Sequence, residues 1–116
     1  MENDARTPGA LPPSQVHALP TTVEIAPGAI VSRTLMRSAG GNVTAFAFDE
    51  GQSLAEHSAP FDALVQLLEG ELVVSIAGEE SALNPGEVIV MPADVPHAVR
   101  APARAKWMLV MLKGEA

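Results

Sequence analysis

The sequence predicts an all-β protein, a sandwich or barrel, and three observations carry that prediction. Glycine or proline interrupts the chain every eight to twelve residues. β-Branched residues crowd the short apolar runs between these breaks, and no window repeats with the period of an amphipathic helix. At 116 residues the chain has room for one domain with a real core and too little for two.

The elements follow in order. Residues 1–20, "MENDARTPGALPPSQVHALP", hold four of the ten prolines and no periodic pattern, so they are expected to form a flexible arm. His17 lies in that arm and is expected to be solvated. The folded domain is expected over residues 21–116. "TTVEI" reads as a first strand, closed by the turn signal "APGA". "IVSRTLMRS" runs to Gly40 and Gly41, and "NVTAFAFD" alternates with period two. "ALVQLL" ends at Glu69 and Gly70 with "ELVVSIA" directly behind it, which predicts a hairpin. Glu79 and Glu80 read as a solvated turn. "EVIVMP" follows the turn signature Asn84-Pro85-Gly86, and "HAVRA" and "AKWMLVMLK" close the chain. "LVVSI" and "WMLVM" are apolar on both faces. One face fills the interior, and the other calls for a second sheet or a second subunit.

Composition narrows the partners. A net charge of −7 argues against nucleic acid, which needs a basic patch, and against anionic membrane surfaces. With no cysteine, disulfides and thiolate chemistry are out. No apolar run approaches a bilayer span of about 20 residues, and the start lacks the layout of a secretion signal. A soluble cytoplasmic protein is the default expectation.

The chemistry gathers around two glycine-framed blocks. Gly51 stands six positions before His57, and Gly70 thirteen after it; Gly86 stands six before Pro92, and His97 follows Pro92 by five. Fifteen residues, Glu71 to Pro85, separate the blocks. This frame, with "LLEGE" and "MPADVPH", resembles the cupin superfamily over roughly residues 40–112. The family's motifs read G-x5-H-x-H-x(3,4)-E-x6-G and G-x5-P-x-G-x2-H-x3-N. The resemblance implies a jelly-roll β-barrel of two antiparallel sheets, and a homodimer, since small cupins commonly pair through their sheets.

It also implies a cage of three histidines and one glutamate around a metal, and here this chain departs. His57 and His97 match. The second histidine falls on Ala59, the glutamate on Ala63, the second-motif glycine on Asp94 and the terminal asparagine on Ala101. Two imidazoles bind a divalent ion weakly without further help. Asp62 and Gln66 share a strand face opposite in parity to Ala63, so a regular strand points both away from the barrel, and a bulge near Pro60 would redirect Asp62.

The pocket is therefore expected to be apolar, with His57, His97, Ala59, Ala63, Met91 and Trp107 around it, and with at least one imidazole neutral at pH 7. Trp107, Phe46, Phe48 and Phe61 suit either a pocket wall or plain core packing. Met36, Met108 and Met111 are expected to fill core gaps. Three functions stay open: a small-molecule-binding protein using the His pair, a metal-dependent dioxygenase or isomerase with a reduced ligand set, and a structural or sensory dimeric module. No cofactor is fixed by the residues; zinc, iron, nickel or manganese on His57 and His97 remains open.

Overall fold

The computed structural model describes residues 9–114. Among these residues nine strands follow one another: β1 (Ile30–Ser38), β2 (Gly41–Phe48), β3 (Ser53–His57), β4 (Asp62–Gly70), β5 (Leu72–Ile76), β6 (Glu79–Leu83), β7 (Val88–Met91), β8 (His97–Arg100) and β9 (Ala105–Leu112). They form two sheets, one ordered β1-β2-β9-β4-β7 and the other β3-β8-β5-β6, with every pairing antiparallel.

The core lies between the sheets, as period-two alternation dictates. The larger sheet turns Phe48, Val65, Leu67 and Trp107 inward; the smaller answers with Leu72, Val74, Leu83 and Val99. Trp107 is 1% exposed and stacks on its cross-strand partner Phe46, centroids 4.4 Å apart and planes 15° apart. Phe48 meets the same indole edge-on at 5.4 Å. Three aromatic rings thus fill much of the interior of a chain otherwise built from aliphatic side chains.

The expected hairpin between "ALVQLL" and "ELVVSIA" does not form. β4 pairs with β7 and β9 in one sheet, whereas β5 pairs with β6 and β8 in the other. Only Glu71 separates the two strands, too little chain for a hairpin turn. The chain instead bends from one sheet into the other. A bulge between Leu67 and Glu69 prepares the bend, and Gly70 makes it at φ 90°. A Cβ at Gly70 would stand 1.8 Å from the Arg104 carbonyl oxygen, so only glycine fits. Two further expectations change. Glu79 and Glu80 belong to β6, because Ala77 and Gly78, both at positive φ, make the turn. "TTVEI" forms no ladder; Leu19–Thr22 is a 3-10 turn in which the Thr21 and Thr22 hydroxyls donate back to the Ala18 and Leu19 carbonyls, and Val23 is buried.

Part of the expected arm, residues 1–8, lies outside the described residues. From Gly9 onward the segment lies on the outer face of the larger sheet. Leu11 and Leu19 pack with Val23 and Ile25 over Leu35, Ala45 and Ala47. The Leu11 amide donates to Leu35 O at 2.9 Å, Arg33 donates to the carbonyls of Gly9 and Thr22, and Lys106 Nζ donates to Pro20 O at 2.8 Å. His17 lies close to the Pro12 carbonyl, at 3.1 Å. The small Ala45 and Ala47 let this cover approach the sheet closely.

Candidate functional site

A cavity of about 60 Å³ opens between the sheets at the His57 end of β3. Its two chemical groups sit opposite each other by register: His57 on β3 and His97 on β8 are Cα partners. A regular ladder would not produce that pair. Leu54 opposes Val99, so the next inward residue of β3 would be Glu56. One extra residue between Leu54 and His57 shifts the register, and His57 takes the inward position. The bulge thus selects imidazole over carboxylate for the cavity.

Backbone carbonyls fix both rings. His57 Nδ1 lies 3.0 Å from Ala55 O, and His97 Nδ1 lies 3.2 Å from Val95 O. A carbonyl only accepts, so each Nδ1–H is the donor, and in a neutral ring the lone pair resides on Nε2. The two Nε2 atoms face each other at 3.3 Å, with the ring planes 73° apart. His97 is buried at 6% exposure, while His57 stands at the mouth. Burial first, and then the neighbouring His57, hold the His97 pKa below its ordinary value of 6.5, against the Val95 carbonyl, which raises it.

The six pocket residues read from the sequence, His57, His97, Ala59, Ala63, Met91 and Trp107, all line this cavity. Leu54, Phe61, Val99, Leu109 and Met111 line it as well. Met111 therefore faces the cavity rather than only filling a core gap. Leu109 and Met111 follow Trp107 at intervals of two along β9, so strand alternation was the signal for them.

Asp62 is occupied elsewhere: its carboxylate accepts from the Ala93 amide at 2.9 Å. The Asp94 amide donates to Ala59 O at 2.7 Å. Together they tie the loop after β7 to the loop before β4 and hold the rim of the cavity. Asp94 sits at φ 65°. It keeps the left-handed backbone that the motif's glycine would supply, a conformation aspartate tolerates better than most residues.

A resident metal of the kind implied by the resemblance calls for three or four protein donors. Among the described residues no group of three or more His, Asp or Glu side chains comes together. Methyl groups stand at Ala59 and Ala63. The donors present do not fit a four-ligand divalent cage.

The family profile described as Cupin domain matches residues 45–111. The chain belongs to the cupin family. A conserved protein of unknown function from Streptococcus pyogenes shares 36% identity, over 91% of this chain and 93% of that one, with a TM-score of 0.85. A cupin superfamily protein from Desulfitobacterium hafniense shares 27% identity over 90% and 95% of the two chains, TM-score 0.84. A Cupin 2 conserved barrel domain protein from Leptotrichia buccalis is 38% identical over 82% of this chain and 46% of that one, TM-score 0.79. No curated protein matches the sequence. No helix among the described residues is long and apolar enough to cross a membrane.

Proposed function

We propose that this cupin binds a small organic molecule in the barrel cavity, with an apolar body against the walls and one polar end on the His57–His97 pair. The observation that carries this reading is the composition of the cavity wall: its side chains are hydrocarbon, thioether or aromatic except for two imidazoles aimed at one point. A volume of 60 Å³ holds about five water-sized groups, which sets the ligand at a handful of heavy atoms unless it extends through the mouth. A neutral Nε2 accepts a hydrogen bond from a hydroxyl or acid group, and a protonated one donates to a carbonyl or carboxylate.

The test is a two-dimensional NMR screen of three- to six-carbon alcohols, ketones and carboxylic acids at millimolar concentration. The reading expects shifts in the two imidazoles and in the single indole, that of Trp107. A panel that moves none of the three, or moves only surface amides, overturns it.

We further propose that two copies pair through the outer face of the larger sheet. Beyond the region covered by residues 9–25, that face presents Leu64, Val88, Val90, Val110 and Leu112. Val88, Val90 and Leu112 are 53%, 54% and 58% exposed. Sedimentation at micromolar concentration is expected to show a dimer, and a monomer would count against the pairing.

A further inference from the structure

The donors that line the cavity disagree with a divalent cage in a specific direction. Ala63 stands where the family motif carries its glutamate. Its Cα partner on one side is Met91 of β7, and on the other Met111 of β9. Three neighbouring strands thus present Met, Ala, Met in a row, and all three side chains line the cavity that His57 and His97 line from the other sheet. The small Ala63 leaves between the methionines the room a longer side chain would fill, and a thioether on three rotatable bonds adapts readily to such a gap.

From this placement we infer that the cavity is a site for a monovalent soft metal ion, copper(I), held by the imidazoles of His57 and His97 and the thioethers of Met91 and Met111. The inference goes beyond the small-molecule reading and does not depend on it. Three properties of the site favour this ion. Each imidazole has its Nδ1–H committed to a backbone carbonyl, which leaves the Nε2 lone pair for the cavity. The two Nε2 atoms are 3.3 Å apart. Two donors each about 2.0–2.1 Å from one tetrahedral ion lie about 3.3–3.4 Å from each other.

The third property is charge. Two neutral imidazoles and two thioethers carry none, and the other side chains that line the cavity are aliphatic or aromatic, with no ionisable group among them. The cost of placing an ion in such surroundings grows with the square of its charge, so a divalent ion costs about four times as much as a monovalent one. Carboxylates would offset that cost for zinc or iron, and Ala63 removes the carboxylate. Thioether sulfur, in turn, selects copper(I) over the harder divalent ions. Asp62 does not alter this balance, because its carboxylate is held on the Ala93 amide.

The experiment offers copper(I) to the purified full-length chain without oxygen, as its bicinchoninate complex. Silver(I) serves as a redox-inert probe and zinc(II) as the competitor. The expected result is one copper(I) or silver(I) per chain, with both sulfur and nitrogen bonded to copper in the X-ray absorption spectrum and no displacement by equimolar zinc(II). Met91→Leu with Met111→Leu, a volume-conserving change, is expected to lower copper(I) affinity at least tenfold. His57→Ala with His97→Ala is expected to abolish binding. Failure to take copper(I) from bicinchoninate, a nitrogen-only spectrum, unchanged affinity in the methionine variant, or tighter binding of zinc(II) would each overturn the inference. If the methionine variant does not fold, the spectrum of the unaltered protein still decides. A negative copper(I) result alongside shifts at Trp107 in the organic screen would remove the metal site and leave the small-molecule reading standing.

Discussion

The two sheets treat their faces differently. The smaller sheet meets water on its outside with Ser53, Ser75, Glu80 and Arg100, the last two in a salt bridge, and contributes the histidine pair inside. The larger sheet carries apolar side chains on both sides, with Arg33, Gln66 and Lys106 among those of its outer face. Its inner face supplies Trp107, Met91 and Met111, and its outer face carries the cover formed by residues 9–25 and the uncovered strip around Val90. A strand buried on one face alternates, and a strand buried on both reads as a continuous apolar run. "WMLVM" and "ALVQLL" read as near-continuous apolar runs, yet their inner residues are the more deeply buried and their outer residues are half-buried. The two imidazoles of the cavity thus come from the smaller sheet, the larger sheet adds only the indole N–H of Trp107, which has no hydrogen-bond partner among the described residues, and the family's glutamate position on that sheet is alanine.

The largest expected effect comes from erasing that contrast. Ala59→His with Ala63→Glu places two polar donors beside His57 and His97. Zinc(II) affinity, measured by chelator competition, should rise on the order of 100-fold, which is ~2.8 kcal/mol at ~1.4 kcal/mol per tenfold. Without metal the same variant should melt below the parent, because Ala63 is 7% exposed and a carboxylate there is buried without a partner. An unchanged zinc affinity would mean that the two positions do not converge with the histidines.

A smaller effect is expected on the outer face. Leu64→Lys with Val90→Lys places two charges side by side on partnered positions of β4 and β7. The pair should stay folded, since Val90 is exposed, and should sediment as a monomer where the parent is expected to sediment as a dimer. A variant that remains dimeric would move the interface off this face.

The frame of the fold was legible because glycine and proline punctuate it. Gly51, Gly70 and Gly86 are all at positive φ, and such positions advertise themselves in a sequence. The pocket was legible through the same frame, since the motif spacing pointed to His57, His97, Ala59 and Ala63. What stayed hidden has physical reasons. The hairpin was misread because a bulge and a one-residue bend look like any short loop, and pairing partners are set by tertiary contacts. The bulge that turns His57 inward left no mark in "SLAEH". The cover was hidden because Leu11, Leu19, Val23 and Ile25 follow neither a helical nor a strand period; they meet the sheet as irregular chain held by side-chain-to-carbonyl bonds from Arg33 and Lys106. The row Met91, Ala63, Met111 exists only in register, across three strands distant in sequence.

The smallest expected effect concerns how the larger sheet is fastened at the end of β2. Asp49 follows that strand and accepts from the Gly28 amide at 2.6 Å, from the Glu50 amide at 2.9 Å and from Arg104 Nε at 3.2 Å. It joins the turn that leads out of the cover to the loop between β8 and β9. The amide bonds from Gly28 and then Glu50 hold its carboxyl below the usual value of 3.8, with Arg104 adding to them. A depressed pKa means that the folded chain binds the proton less readily than the unfolded chain does. The stabilisation is therefore fully present above pH 3.8 and is lost as pH falls through the lower folded value. Asp49→Asn keeps one accepting oxygen and removes the charge. Its melting temperature should lie below the parent's by a constant margin near neutral pH, and that margin should shrink in acid below pH 3.8 as the parent's own carboxylate is neutralised. Melting curves of both chains from pH 7 down to strong acid check this. A margin that stays constant throughout would show that Asp49 acts by shape and hydrogen-bond geometry rather than by its charge.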